Sequence, residues 1–234
     1  VFNNPESGTR ASAGYKMVGP GYASLGVPYL RTDIQGFEVL VDQFLFNYAV
    51  QLGGFAKQYH DNLINWKSST TTMTNLGVTL GLNIPDLPYL RVSYMPTTQK
   101  NDDTVALRQL NTDLNVYSLS TGYTVFVDSW SFATSLNVNG QQTTNSNGLN
   151  NFASTNYLLT ENISFSCPLN LGLSYGIVES ESSVGYRIIN SMEVNASYPL
   201  AAFLQANAGL NLAAERGQSD RFGFFAAAYL MLSE

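Results

Sequence analysis

Few residues of this 234-residue chain have the types and spacing that enzymatic chemistry requires. His60 is the single histidine, and it lies in a polar stretch beside Asp61 and Asn62, where we expect an exposed loop side chain. Glu161 and Glu193 have no spacing that would pair them as general acid and base. The sequence also lacks the Gly-x-Ser-x-Gly motif of serine hydrolases. It therefore predicts a protein that is not an enzyme.

Binding of a metal, a cofactor or a nucleic acid has equally little support. Cys167 is the only cysteine, which leaves no intrachain disulfide and no cysteine-rich metal site. Asp102, Asp103 and Thr104 could contact Ca²⁺, but solvated acidic loops are far more common than calcium sites. The net charge of −6 also argues against a partner whose phosphates need clustered Lys and Arg. We expect no metal, no cofactor and no nucleic-acid partner.

The composition differs from that of soluble domains. Charged residues make up 12% of the chain, about half of the roughly 25% that is usual. No run of about 20 consecutive apolar residues predicts a transmembrane helix. The first ten residues, VFNNPESGTR, lack the basic and apolar regions of a signal peptide. We therefore expect the chain to be either the mature form of an exported protein or the C-terminal part of a longer precursor.

Apolar and polar residues alternate with a period of two along most of the chain, which is typical of strands with one apolar side. In Asn75–Ile84 every second residue is Leu, Val or Ile, and the residues between them are Asn, Gly and Thr. The pattern predicts about twelve strands. They are Ala11–Val18, Phe37–Asp42, Tyr48–Gln58, Asn75–Ile84, Tyr89–Met95, Leu114–Val125, Trp130–Asn139, Tyr157–Ser166, Leu169–Val178, Tyr186–Tyr198, Leu204–Leu212 and Arg221–Leu232.

The connections between these strands alternate in length, as in outer-membrane barrels with short periplasmic turns and long outer loops. The short turns are Gln43–Asn47, Pro85–Pro88, Val127–Ser129, Cys167–Asn170 and Pro199–Ala201. The longer links are Tyr59–Thr72, Thr97–Asn111, Gly140–Ser154, Glu179–Val184 and Ala214–Asp220. Aromatic residues cluster at the strand ends beside the short turns, as in an interfacial girdle. We predict one domain over residues 1–234, an all-β antiparallel up-and-down transmembrane β-barrel.

The alternation also predicts which side chains face the lumen and which face lipid, since a charge in mid-bilayer costs about 2–4 kcal/mol. The predicted lumen-facing residues are Glu38, Asp42, Gln51, Lys57, Arg91, Asn137, Arg187, Glu193 and Asn207. The predicted lipid-facing residues are Leu80, Val92, Leu136, Leu173 and Leu210. Phe55, Phe225 and Tyr229 should also face inward, and we expect a mostly filled lumen.

The segment Gly19–Leu80 carries a particular order of short motifs. A P-x-Y-x-S-L-G element is followed by an apolar-aromatic pair before an acidic residue, an L-F turn between two strands, an x-D-N-L loop and a Thr-rich stretch. The motif residues are Pro20, Tyr22, Ser24, Leu25, Gly26, Tyr29, Leu30, Asp33, Leu45, Phe46, Asp61, Asn62 and Leu63. The order resembles a segment of outer-membrane barrel proteins of the Bacteroidota and Chlorobi group. The resemblance covers about a quarter of the chain. It implies a processed fragment or a C-terminal barrel of a longer chain, and it assigns no activity to any residue.

Three functions fit these observations. The first is a structural or assembly anchor in the bacterial outer membrane, in contact with lipid, lipopolysaccharide and other envelope proteins. The second is a narrow, porin-like passive channel for small solutes. The third, from another class, is a secreted all-β subunit of an extracellular filament or surface layer.

Overall fold

A computed structural model describes residues 1–22, 32–105, 108–146, 148, 150–201, 204–215, 218 and 220–230. Among the motif residues named above, Ser24, Leu25, Gly26, Tyr29 and Leu30 lie outside this part. Within it, no helix has the length and apolar character that crossing a membrane would need.

The described residues form strands that follow one another in a single sheet. The strands are β1 (Phe2–Asn4), β2 (Thr9–Val18), β3 (Ile34–Leu45), β4 (Val50–Asp61), β5 (Thr71–Leu82), β6 (Tyr89–Asn101), β7 (Asn111–Val127), β8 (Trp130–Asn145), β9 (Phe152–Ser164), β10 (Asn170–Ser182), β11 (Gly185–Ala201), β12 (Leu204–Glu215) and β13 (Arg221–Leu230). Their order in the sheet is their order in the chain. The predicted all-β, antiparallel, up-and-down architecture is confirmed, and the strand beyond the expected twelve is the three-residue β1.

Two compact units make up the chain. Unit 1 comprises Val1–Pro85, Arg91–Tyr117 and Gln141–Ala153, and unit 2 comprises Asp86–Leu90, Ser118–Gly140 and Ser154–Glu234. Strands β2–β5 belong to unit 1 and β10–β13 to unit 2, so each set gives a separate view of the sheet.

In unit 1 the strand register separates apolar from polar residues, because directly paired residues share a face of the sheet. One row across β2–β5 consists of Ala13, Val39, Ala56 and Leu76. The adjacent row, whose side chains point to the opposite side, consists of Gly14, Glu38, Lys57 and Asn75. We call these two sides the apolar face and the polar face.

Unit 2 repeats this separation. One row across β10–β13 consists of Leu173, Val194, Leu210 and Phe224. The adjacent row consists of Ser174, Glu193, Asn211 and Gly223. The same names, apolar face and polar face, therefore apply to unit 2.

The described residues contain almost no buried apolar core. Ile34, 5% exposed, is the single buried apolar side chain among them. Large apolar side chains on the apolar faces, such as Val78 and Phe224, are instead exposed. A sheet of this kind needs another medium or partner to cover its apolar side, since water disfavours contiguous apolar surface.

Two expectations about the connections are wrong. His60 lies in strand β4 rather than in a loop, and its Nε2 is 2.7 Å from Nε2 of Gln35 on β3. The link predicted at Glu179–Val184 is mostly strand, because Ser182 pairs directly with Gly185 across a two-residue turn. Polar residues at these strand ends resemble loop residues in the sequence, although their backbones are fully paired.

Glycine at position 36 is required by the approach of β4 to β3. A Cβ added at Gly36 would overlap the backbone carbonyl oxygen of Gln58 and lie 2.7 Å from Cα of Tyr59. At Gly54 the nearest atom to an added Cβ is the carbonyl oxygen of Gly77, at an ordinary 3.6 Å.

We expect Gly36→Ala to lower the free energy of unfolding by about 1–3 kcal/mol and Gly54→Ala by less than about 0.5 kcal/mol. Equilibrium urea denaturation measures both, and equal effects would contradict this register.

Candidate functional site

The most tightly connected polar cluster in the described residues links loop 62–70 to Asp33, just before β3. Asp33 is 4% exposed, and Asp61 and Asn62 are also buried. Lys67 Nζ lies 2.7 Å from Asp33 Oδ2 and 2.9 Å from Asp61 Oδ2. One ammonium group therefore joins the end of β4 to the residue that precedes β3.

Asp33 also accepts three hydrogen bonds from the loop itself. Trp66 Nε1 donates to Asp33 Oδ2 over 3.2 Å, as does the backbone N–H of Asn62. The N–H of Leu63 donates to Oδ1 over 3.0 Å. The hydrogen bond from Lys67, together with these donors, outweighs desolvation and lowers the pKa of Asp33 from 3.8 to about 2. The carboxylate is thus held ionised as the centre of the loop.

The sequence favours this loop because Asn and Asp tolerate left-handed backbone conformations. Asp33, Asn62 and Asn65 have φ values of 59°, 63° and 54°. The Asn62 side chain accepts from the N–H of Lys67 over 2.9 Å and donates to the Lys67 carbonyl over 3.1 Å. These bonds close the loop on itself.

Loop 62–70 is also fixed to its surroundings at its C-terminal end. The N–H of Thr71 donates to Asp61 Oδ1, and the N–H of Thr70 donates to Asp102 Oδ1, each over 2.6 Å. Asp102, considered above as a calcium contact, therefore anchors a neighbouring loop. No group of three or more His, Cys, Asp or Glu residues in the described chain could hold a metal ion.

The fixed loop presents two apolar side chains to solvent. Ile64 and Trp66 are each 65% exposed, and Lys67 Nζ lies 5.5 Å from the centre of the Trp66 ring. The carboxylates of Asp33 and Asp61 that hold this loop are themselves engaged by Lys67 and by loop N–H groups.

On the polar face of unit 1, charged side chains pair across the strands. Lys57 Nζ lies 3.3 Å from Glu38 Oε2, which also accepts a hydrogen bond from the Tyr59 hydroxyl over 3.1 Å. The register places Asp42 and Gln51 on this face as well. The four residues of β3 and β4 that are predicted to face a lumen thus share one side, and Leu80 on β5 lies on the other.

In unit 2 the register places Arg187, Glu193 and Asn207 on the polar face, although they are not direct partners of one another. Arg187 Nε donates to Glu215 Oε1 over 2.7 Å. The predicted lipid-facing Leu173 and Leu210 lie together on the apolar face.

The remaining predicted residues occur as consecutive pairs within strands. Arg91 and Val92 are neighbours in β6, and Leu136 and Asn137 are neighbours in β8, so each pair points to opposite sides of the sheet. Asn137 Oδ1 accepts a hydrogen bond from Ser120 over 2.8 Å. The structure therefore places the two members of each of these pairs on opposite sides of the sheet.

Aromatic rings contact one another beside the short turns of unit 2. The Trp130 and Phe165 rings are 4.7 Å apart, and Trp130 lies 6.2 Å from Phe132. Beside the β3–β4 turn in unit 1, the rings of Phe44 and Tyr48 are 5.2 Å apart. In each unit the rings lie beside a short turn, where the sequence predicts aromatic residues.

Comparison with known proteins identifies the fold. The siderophore receptor PirA from Pseudomonas aeruginosa matches with a TM-score of 0.59 and 10% identity, over 86% of this chain and 37% of PirA. The fold is that of the outer-membrane β-barrels. The chain thus spans a little over a third of the length of PirA.

Two further structures align with lower TM-scores. OmpT of Vibrio cholerae with loop L8 deleted has a TM-score of 0.48 and 12% identity, over 94% of this chain and 75% of its own. The β domain of the Bordetella autotransporter BrkA has a TM-score of 0.39 and 14% identity, over 84% and 89%. No protein-family model and no curated protein sequence matches this chain.

Sequence reasoning identified part of the loop cluster without assigning it a role. Asp33, Asp61 and Asn62 belong to the motifs quoted above, and the structure brings them together. Lys67 and Trp66 were missed, and the only signal for them was the turn-forming asparagines that precede them.

We predict that the Asp33 carboxylate controls the conformation of loop 62–70. Trp66 and Trp130 are the two tryptophans, so a Trp130→Phe background makes Trp66 fluorescence report on the loop alone. Because the folded-state pKa of Asp33 is lowered, its stabilisation is complete above about pH 4 and is lost as the pH falls through about 2. The emission of Trp66 should therefore change with a midpoint near pH 2.

Asp33→Asn is the matched control, since it keeps the shape of the side chain and removes its charge. It should abolish the acid transition and give at pH 7 the Trp66 emission that the unchanged loop shows only below about pH 2. The raised pKa of Lys67 means that its contribution is complete below about pH 10.5 and is lost only at higher pH. A Trp66 transition centred near pH 4 would contradict the arrangement.

Proposed function

We propose that this chain is a membrane-spanning β-barrel of a Gram-negative outer membrane and acts as a structural anchor. The observation that carries this proposal is the two-faced sheet, in which the apolar face is uncovered and the polar face carries the charges. In lipid, an uncovered apolar face is stable and every backbone group must bond to another strand. Antiparallel strands with this alternation meet both requirements.

The boundary of the apolar face supports the same interpretation. Along the apolar side of β5 the residues Leu76, Val78 and Leu80 are apolar. Nearer to loop 62–70, the same side of this strand carries Thr74 and Thr72. Such a change from apolar to polar residues is expected where a strand leaves the hydrocarbon. Loop 62–70 would then lie just outside the membrane, braced by Asp33.

The anchor role is supported by the way in which the buried side chains of the loop cluster hold loop 62–70 in one conformation. Its buried carboxylates hold the loop, and its exposed residues are Ile64, Asn65, Trp66 and Ser68. Such a loop is suited to contact lipopolysaccharide or another envelope protein. An extracellular filament subunit, the third possibility above, would fold without detergent.

The membrane proposal predicts opposite tolerance at two consecutive residues. Val78 lies on the apolar face and Thr79 on the polar face. We expect Val78→Arg to lower the free energy of unfolding in lipid vesicles by about 2–4 kcal/mol and Thr79→Arg by less than about 1 kcal/mol. Urea titration after refolding into vesicles measures both. Similar losses at both positions, or a chain that is freely soluble without detergent, would refute the membrane proposal.

A passive channel is the second candidate, favoured by the accessibility of the polar face. The side chains of Glu38 and Lys57 are 43% and 40% exposed despite their ion pair. The filled lumen expected from the sequence would require these groups to be covered.

Planar-bilayer recording separates the channel from the anchor. A channel would show discrete current steps, and Lys57→Glu would raise its cation selectivity because it places a second acid beside Glu38. Lys100→Glu, the same charge change in β6, should have a smaller effect. Lys100 lies nine positions after the predicted lumen residue Arg91 in the same strand, so it points to the opposite side of the sheet. A closed trace at all voltages would exclude the channel and leave the anchor.

A further inference from the structure

The polar face of β11–β13 differs in chemistry from that of β2–β4. In β2–β4 it carries the charged residues Arg10, Lys16, Glu38, Asp42 and Lys57. In β11–β13 the central rows are rich in amides and contain one acid. These residues are Glu193, Asn195, Gln205, Asn207 and Asn211.

Two aromatic rings lie beside these amides on the same face. Phe225 pairs with Gly209 and Tyr229 with Gln205, and their side chains are 42% and 56% exposed. A Cβ added at Gly209 would lie 2.5 Å from two ring atoms of Phe225, so the ring covers this glycine. The side of the Phe225 ring that does not cover Gly209 therefore stays accessible on the polar face.

The amides combine with these rings to offer two kinds of contact. Asn195 and Asn211 are exposed, and Gln205 Nε2 donates to Asn207 Oδ1 over 3.2 Å, which leaves other donors and acceptors unused. Phe225 and Tyr229 are four residues apart on one strand, which corresponds to about 13 Å. A ligand that contacts both rings must therefore be elongated.

We propose that this surface, defined by Asn195, Gln205, Asn207, Asn211, Phe225 and Tyr229, binds a neutral oligosaccharide. Sugar rings present C–H groups that pack on aromatic faces and hydroxyl groups that both donate to and accept from amides. None of these six residues is charged, and Glu193, which pairs with Asn211, already accepts a hydrogen bond from Asn195 over 3.4 Å. An ionic solute would therefore lose hydration and gain little counter-charge. The proposal rests on the proposed barrel, because it requires the polar face to be a stable, accessible wall.

Isothermal titration calorimetry with maltohexaose tests the proposal. The full chain is folded in lauryldimethylamine oxide, because this detergent has no sugar headgroup that could compete for the site. Calorimetry measures binding directly, so the test does not depend on channel activity. We expect saturable binding, weakened about five- to tenfold by Phe225→Ala, as the loss of one aromatic packing contact predicts. Phe224→Ala is the matched control, because Phe224 is the next residue and points to the apolar face. It should leave the affinity unchanged.

A second pair of variants covers the case in which Phe225→Ala does not fold. Tyr229→Phe keeps the ring and should retain binding, whereas Tyr229→Ala should weaken it. Absence of saturable binding by a chain with the heat-modifiable gel migration of a folded barrel would overturn the oligosaccharide site and leave the barrel standing. A chain that does not fold in detergent would overturn both. Equal loss of affinity in Phe224→Ala and Phe225→Ala would also contradict the assigned surface.

Discussion

The structure depends on one constraint, that consecutive residues of a paired strand point to opposite sides of the sheet. Every cross-strand row therefore belongs wholly to one face. The row that contains Val39 and Leu76 is apolar because each strand keeps the same phase, and the row that contains Glu38 and Lys57 is polar for the same reason. The backbone hydrogen bonds that hold these rows together leave few backbone N–H and C=O groups that need solvent as a partner. The chemical difference between the two sides thus follows from the phase of each strand and from the register in which the strands pair.

Loop 62–70 is organised differently because the alternation ends there. At Asp33 and Asn62 the backbone turns into the left-handed region, and strand pairing no longer satisfies the polar groups nearby. Side chains take over that task. Asp33 collects donors from Lys67, Trp66 and the loop backbone, so one ionised group substitutes for several interstrand bonds. This explains why the most buried polar residues lie at the end of the sheet and not within it.

The sequence predicts the architecture well where a pattern repeats and poorly where it stops. Alternation in Asn75–Ile84 and Leu204–Leu212 identifies both the strands and their faces, since each face needs only a class of residue. Strand ends are harder to predict. His60 and Glu179 look like loop residues because polar side chains are favourable on strands that extend beyond an apolar band.

The loop cluster could not be derived from local sequence. Lys67 lies 34 positions after Asp33, and their contact depends on the register of β3 with β4. Only the turn-forming asparagines gave a local signal. The pairing of Trp66 with the same carboxylate likewise requires the folded loop. Sequence patterns thus indicate which residues can form such a cluster, and tertiary structure decides which of them do.

The row-by-row pairing of β10–β13 has a consequence for how such chains can diverge. Deleting one residue within Asn170–Ser182 would carry all residues beyond it to the wrong side, whereas removing two would shorten the strand and keep both faces. Insertions and deletions inside strands should therefore involve even numbers of residues, whereas those of odd numbers should be confined to the connecting loops. Because substitutions need only conserve the side-chain class at each position, this fold is compatible with very low sequence identity, such as the 10% between this chain and PirA.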